Sequence, residues 1–240
     1  MINTKIKSLN HSKKTRKFNK IRFLIFHYTG MQSKRESIKR LTNLRHKVSC
    51  HYLVDRKGEV FQLVEDLYVA WHAGKSKWKN FKNLNENSIG IEIVNKGHDF
   101  GYENFTKKQI NNLIKLSLRL KKKYKIKNSF VLGHSDIAPL RKKDPGEKFP
   151  WKILNKNNLG VFYKKKDLKT IKADIKKFRS LFFKNIYCFG YRYFSKNKST
   201  KSDKEIIKAF QRRFLPNKVS GKIDQKTLDI SHFLAKKCKN

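Results

Sequence analysis

The sequence predicts an α/β domain, a mixed central β-sheet flanked by helices, followed by a small all-α module of three helices. Three observations carry this. Short apolar, β-favouring runs alternate with helix-patterned segments between residues 20 and 166. From Leu168 onward the pattern changes to three short helical segments with no strand signal between them. A chain of 240 residues accommodates a catalytic-sized domain plus a small module. The expected division is therefore a basic, flexible arm over 1–19, a first domain over 20–166 and a helical module over 167–240.

In chain order, residues 1–19 are polar and basic without periodicity, which predicts a loosely packed arm. Ile21 to Tyr28 is a short apolar run closed by Thr29-Gly30, the pattern of a buried central strand. Ile38, Leu41 and Leu44 fall at helical spacing, predicting a helix over 33–44. Residues 51–55 and 59–64 flank Arg56-Lys57-Gly58 as the arms of a hairpin. Residues 88–94 read as a strand, and 105–124 as an amphipathic helix with Ile110, Leu113, Ile114 and Leu120 on its apolar side. Phe130 to Gly133 is a last strand leading into His134. The later helices are expected over 169–183, 202–214 and 225–236.

A 38% hydrophobic content, with 12% aromatic residues, is enough for a packed core and excludes global disorder. The longest apolar runs are four residues or fewer, far short of a bilayer span. The three cysteines, Cys50, Cys188 and Cys238, are far apart and form no CxxC pair, so reduced structural thiols are expected. The net charge of +41 predicts attraction to polyanions at low salt. Its basic residues are spread along the chain, and Lys, Asn, Ile and Phe all have A/T-rich codons. Coding bias is therefore an alternative to nucleic-acid recognition, and no nucleic-acid-binding module is visible.

Chemistry concentrates in His134-Ser-Asp-Ile-Ala-Pro-Leu-Arg-Lys-Lys-Asp144-Pro-Gly. A histidine and an aspartate ten positions apart, on a loop with prolines that turn the chain back, can meet on one side of a sheet. His27, at the end of the first long strand, supplies a third donor. Two imidazoles and one carboxylate leave a fourth tetrahedral position open, as in catalytic rather than structural zinc sites. Zinc lowers the pKa of bound water to about 7. Amide hydrolysis then needs a proton carrier, and Glu92, inside the apolar strand Ile89-Gly90-Ile91-Glu92-Ile93, is the best candidate because an unpartnered buried carboxylate is costly. Lys142 can stabilise an oxyanion. The competing interpretations are ordinary: His27 as a core histidine, Glu92 paired with one of many lysines, Lys142 as a surface charge. His51 and His72 sit in ordered-looking segments and are candidates to line a cleft and contact substrate. His11, His46, His98 and His232 lie in polar surroundings and are expected to be exposed.

Five motifs recur in order: Val48-Ser-Cys-His-Tyr52, Ala70-Trp-His-Ala-Gly74, Ser88-Ile-Gly-Ile-Glu92, Gly133-His-Ser-Asp-Ile-Ala-Pro139 and Lys142-Lys-Asp-Pro-Gly146. Together they resemble the zinc N-acetylmuramoyl-L-alanine amidases of the AmpD/AmiD type. The resemblance implies a peptidoglycan recognition protein-like amidase fold and one Zn2+ held by His27, His134 and Asp144. It implies Glu92 as the acid/base, Lys142 as a transition-state stabiliser and His72 at the cleft wall. The bond cut would join the lactyl group of N-acetylmuramic acid to L-alanine, in peptidoglycan fragments or muropeptides, with the protein acting as a monomer. Ile206 to Phe214, followed by Ser220 to Asp224 and Thr227-Leu228, resembles a three-helix peptidoglycan-binding module, which favours the two-domain AmiD branch. Phe210 and Phe214, at i,i+4 spacing, are core residues as well. With no signal peptide or lipobox visible, a cytoplasmic location is expected; a periplasmic or envelope-associated one is the alternative. A non-catalytic peptidoglycan-binding protein with the same fold is the alternative function.

Overall fold

A computed structural model of the chain describes residues 2–237. Its first strand, β1 (Ile2–Asn3), is followed by β2 (Phe23–Tyr28), helix α1 (Lys34–Thr42), β3 (Tyr52–Val54) and β4 (Val60–Gln62). A small hairpin, β5 (Lys77–Trp78) and β6 (Phe81–Lys82), precedes β7 (Ser88–Ile93), α2 (Lys107–Lys123) and β8 (Val131–Gly133). Two short helices, α3 (His134–Ile137) and α4 (Trp151–Lys156), complete this part. The chain ends with α5 (Phe178–Phe189), α6 (Asp203–Phe214) and α7 (Gln225–Lys236). The expected mixed sheet is present: six strands in the order β1-β4-β3-β7-β2-β8, all neighbours parallel except β3 and β4.

The two centre strands show why the sequence alternates as it does. On β2, Leu24 and Phe26 point to one face; on β7, Ile89, Ile91 and Ile93 join them. The apolar side of α2, including Ile110, Leu113, Ile114 and Leu120, closes over that face. Helix α2 starts at a reciprocal cap, in which the Thr106 hydroxyl accepts from Gln109 N and the Gln109 side chain accepts from Thr106 N. The opposite face carries Phe23 and Ile25, and these pack with Leu132 and Ile137 against Phe182, Phe183, Ile186, Phe210 and Phe214 of the C-terminal helices. One continuous apolar cluster therefore spans both parts of the chain, and the helical module is seated on the sheet. Helix α1 covers the remaining end of this face through Leu41, against Cys50, Leu53, Phe61 and Leu63.

Two expectations need correction. Residues 2–19 are not a loose arm. Ile2 and Asn3 pair with β4, and Ser8 N, Ser12 N and Arg16 N donate to Leu63, Val69 and Leu67 carbonyls. The Arg16 guanidinium is buried and donates to the Asn85 and Asp66 carbonyls at 2.8 Å each. Charge content cannot foretell this, because backbone pairing uses no side-chain pattern and a buried guanidinium is tolerated once carbonyls receive its N–H groups. The first C-terminal helix begins at Phe178 rather than Lys169. Asp174 accepts from Lys176 N and starts a 3-10 turn there, and the apolar positions 178, 182, 183, 186 and 189 lie C-terminal to it. Cys50 is a buried free thiol and Cys188 an exposed one, whereas Cys238 lies outside the described residues. Among the described residues, no helix is long and apolar enough to cross a membrane.

Because the module shares its core with the sheet, Phe210→Ala is expected to cost about 3–5 kcal/mol. It should lower the melting temperature of the whole chain in a single transition. Calorimetry of the variant would check this, and a separate low-temperature transition for the module alone would contradict it.

Candidate metal centre

Strands β7, β2 and β8 are parallel neighbours, so their carboxyl ends open on the same edge of the sheet. That edge is where side chains from separate segments meet in open parallel sheets. His27 lies one residue before the end of β2, Glu92 is its register partner on β7, and His134 follows β8 directly. Asp144 returns on the loop after α3, tied by the Ser135 N–H to its own carbonyl at 2.8 Å. Gly133 makes the return possible, since a Cβ there would lie 2.6 Å from the Pro145 ring.

His27 Nδ1, His134 Nδ1 and Asp144 Oδ2 lie 3.0 Å from one another in all three pairings, and all three residues are buried. The protonation pattern around them can be read outward from two backbone carbonyls. The Ser88 hydroxyl donates to Leu84 O, so it can only accept from His72 Nε2 at 3.1 Å. Burial, reinforced by His27 and His51, holds His72 well below its usual pKa and hence neutral, so its Nδ1 bears a lone pair. That lone pair accepts from His27 Nε2 at 3.0 Å. Burial and His134 lower His27 to about 4, so its ring is neutral and its Nδ1 bare. On the other side, His134 Nε2 donates to Ala73 O at 3.0 Å, and the tautomer that makes this bond presents a bare Nδ1 to the cluster. Burial works to raise the Asp144 carboxyl, but a proton carried toward it by His134 or His27 more than reverses this and holds it well below the usual carboxylate range, and a cation at the same point acts in the same sense.

Three electron-pair donors thus converge on one point. Such an arrangement suits a cation and little else, and the 3.0 Å separations approach the edge of roughly 3.3 Å for a tetrahedron with bonds of about 2 Å. The residues fit a metal ion. The outward hydrogen bonds to Ala73 O and His72 are the type of support that orients metal-binding imidazoles.

A cavity of about 210 Å3 adjoins these atoms, lined by Arg40 of α1, Trp71, Glu92, His134, Lys142 and Asp144. Glu92 is half-buried and its Oε2 is enclosed without a hydrogen-bond partner. Burial, with the negative charge of Asp144, raises its pKa well above the carboxylate norm, while Lys142 acts in the opposite sense. The carboxyl is therefore disposed to hold a proton more readily than an exposed glutamate.

His134, Asp144, Glu92 and Lys142 line this cavity, with His27 buried behind them against His134 and Asp144, and the structure sorts the two expected substrate contacts. His72 reaches the cavity rim, but both its ring nitrogens are committed, to His27 and Ser88. Gly90 leaves room for its ring, because a Cβ there would lie 2.3 Å from His72 Cγ. His51 does not contact the cavity: it is fully buried, accepting from Gly90 N at 3.0 Å and facing Tyr68 O at 3.1 Å. A substrate-binding role is incompatible with that enclosure. His98, expected at the surface, is part-buried between the Tyr28 hydroxyl at 2.9 Å and Glu147 at 3.1 Å. Ser88 was not foreseen, although its position follows from the strand period, which sets 88, 90 and 92 on one face.

The sequence matches the family model for N-acetylmuramoyl-L-alanine amidase over residues 17–147. The chain is 32% identical to the N-acetylmuramoyl-L-alanine amidase AmiD of Escherichia coli, over 92% of its own length and 84% of the relative's. Its fold is similar to that of E. coli AmiD in complex with the substrate anhydro-N-acetylmuramic acid-L-Ala-D-gamma-Glu-L-Lys. The TM-score is 0.80 at 30% identity, covering 94% of this chain and 93% of that one. AmpDh3 from Pseudomonas aeruginosa, in complex with anhydromuramic pentapeptide, is similar at TM-score 0.79 and 30% identity, with 94% of each chain covered.

Two outcomes are expected. Ser88→Ala removes the acceptor that sets the His72 and His27 tautomers, so metal affinity should fall about tenfold; competition with a chromophoric chelator measures it. For His51, burial and the Arg16 charge lower the pKa from 6.5 to about 3. Its folded form is favoured when neutral, so its contribution to stability is complete above pH 6.5 and is lost as pH falls toward 3. Thermal midpoints of chelator-treated His51→Asn should therefore depend less on pH across that window than those of the parent.

Proposed function

Since this chain belongs to the N-acetylmuramoyl-L-alanine amidase family and is a hydrolase of that class, we propose that it acts on muropeptides with one zinc ion at His27, His134 and Asp144. The convergence of His27 Nδ1, His134 Nδ1 and Asp144 Oδ2 at the floor of the cavity, beside an unpartnered carboxyl, is the observation that carries this reading. Support for the substrate class comes from the two similar structures, whose bound molecules are anhydromuramyl peptides.

Zinc at this site supplies Lewis acidity to water and to the amide carbonyl. The rest falls to the chain's own residues. Glu92 stands beside His27 on the adjacent strand, enclosed and partly shielded from bulk water. In its carboxylate form it takes a proton from the attacking water, and its raised pKa makes it a good donor of that proton to the leaving nitrogen of alanine. Lys142 places an ammonium on the same cavity wall, where it offsets negative charge gathering on the carbonyl oxygen. In this reading the cavity lined by Trp71, Arg40 and Asp144 receives the lactyl side of the amide and the stem peptide.

Glu92→Gln is expected to retain zinc and lower kcat by 10²-fold or more, within the usual range for losing a general acid/base. Asp144→Ala should lose zinc together with activity. Metal content and release of free peptide from an anhydromuramyl tripeptide substrate, measured on both variants, separate the two roles. Full activity of Glu92→Gln would assign the proton transfer elsewhere. An unmodified chain that shows no turnover when saturated with zinc would overturn the proposal.

A further inference from the structure

The turn that presents His134 is gripped from the C-terminal module. Asp136, in that turn, is almost completely enclosed. Its Oδ2 accepts from Gly133 N at 2.8 Å, closing the backbone around His134. The same oxygen accepts from Arg213 Nη1 of α6, and Oδ1 accepts from the Tyr191 hydroxyl just after α5. Arg213 also reaches back before His134, donating through Nη2 to Val131 O on β8 at 3.2 Å, and to Val161 O at 3.3 Å. Its guanidinium carbon lies 4.0 Å from the centroid of the Trp151 ring. One side chain of the module therefore bonds to the segment on both sides of His134, at residues 131 and 136.

A module that served only to tether the enzyme to a polymer would not need this contact. The shared core already joins the two parts through apolar packing. A fully buried ion pair is, moreover, an inefficient source of stability compared with apolar residues of similar volume, and its best-attested use is to specify one arrangement. We propose that Arg213 and Tyr191 are positioning residues for the metal centre, acting through Asp136, so that the C-terminal module forms part of the active site's frame. This rests on the metal site proposed above.

The test uses the full-length chain. The double variant Asp136→Asn/Arg213→Met removes both charges, and should fold with a melting temperature near that of the parent because no unpaired buried charge remains. Its zinc dissociation constant should rise tenfold or more, the range found when supports of metal ligands are lost. The absorption spectrum of its cobalt(II) form should also change. Tyr191→Phe, which removes a hydroxyl and little volume, should weaken zinc severalfold and keeps the test open if the double variant does not fold. Phe182→Leu serves as the control: it lies in the shared core, packs on Phe183 and Phe210, and should lower the melting temperature with zinc affinity unchanged. Parental zinc affinity and cobalt spectrum in a folded double variant or in Tyr191→Phe would overturn the proposal. So would an equal loss of zinc in Phe182→Leu, which would make the coupling one of general packing. Failure of the underlying metal-site reading is distinguishable, because the unmodified chain would then bind no zinc.

Discussion

Three electron-pair donors held 3.0 Å apart in a buried site repel one another unless a cation lies between them. Keeping them there is the constraint around which much of this structure is arranged. One donor lies on β2 and a second directly follows β8, the strand hydrogen-bonded to β2, so their separation is set by the sheet rather than by flexible loops. The third returns on the loop after α3, and its backbone carbonyl is bonded to Ser135 in that helix. The imidazoles are fixed in rotation and tautomer by chains of hydrogen bonds that end on the carbonyls of Leu84 and Ala73. Arg141, on the ligand loop, also donates to Ala73 O and to Lys75 O, so the acceptor for His134 is itself held in place.

The same face of the sheet serves two purposes along one strand. Phe23 and Ile25 face the aromatic core shared with the C-terminal helices, and two residues later His27 faces the donor cluster. Strand β7 repeats the arrangement with small and polar residues at 88, 90 and 92, each with a steric or chemical reason. Ser88 completes the histidine relay, Gly90 clears the His72 ring, and Glu92 opens on the cavity. The reverse face of both strands is uniformly apolar under α2. A site at the carboxyl edge of parallel strands thus needs only the last turn of the pleat to change from core to chemistry.

Much of this could be read from the residues. The central strands, the hairpin, α2 and the last two helices follow from hydrophobic period and turn residues, which are local properties. The donors at 27, 134 and 144 could be proposed from residue type and loop chemistry, although their convergence depends on β2 and β8 being neighbours, which no local pattern encodes. What could not be read was non-local in the same sense. The backbone pairing of residues 2–16, the enclosure of His51 and the reach of Arg213 to Asp136 across 77 positions leave no periodic trace. Arg213 is one cation among 59 Lys and Arg residues, and composition cannot distinguish the buried one.

That last point bears on how a net charge of +41 should be understood. Like charges repel, and a surplus of this size works against the compact state. The surplus is carried by solvated side chains, whose mutual repulsion is screened within about 8 Å at physiological salt. The few enclosed cations are treated differently. Arg16 is surrounded by carbonyls, with Asp66 close by, and Arg213 is paired with Asp136. The acids are few, 18 in all, and several occupy sites where a carboxylate is indispensable: Asp66 under two tyrosine hydroxyls and a lysine, Asp136 in the turn bearing His134, Asp144 and Glu92 in the cavity. Replacing any one of these acids would strand a buried donor or dismantle the donor cluster, whereas a lysine at a solvated surface position does neither. The extreme charge and the intact site are therefore compatible: one is set where water solvates each side chain, the other where it does not.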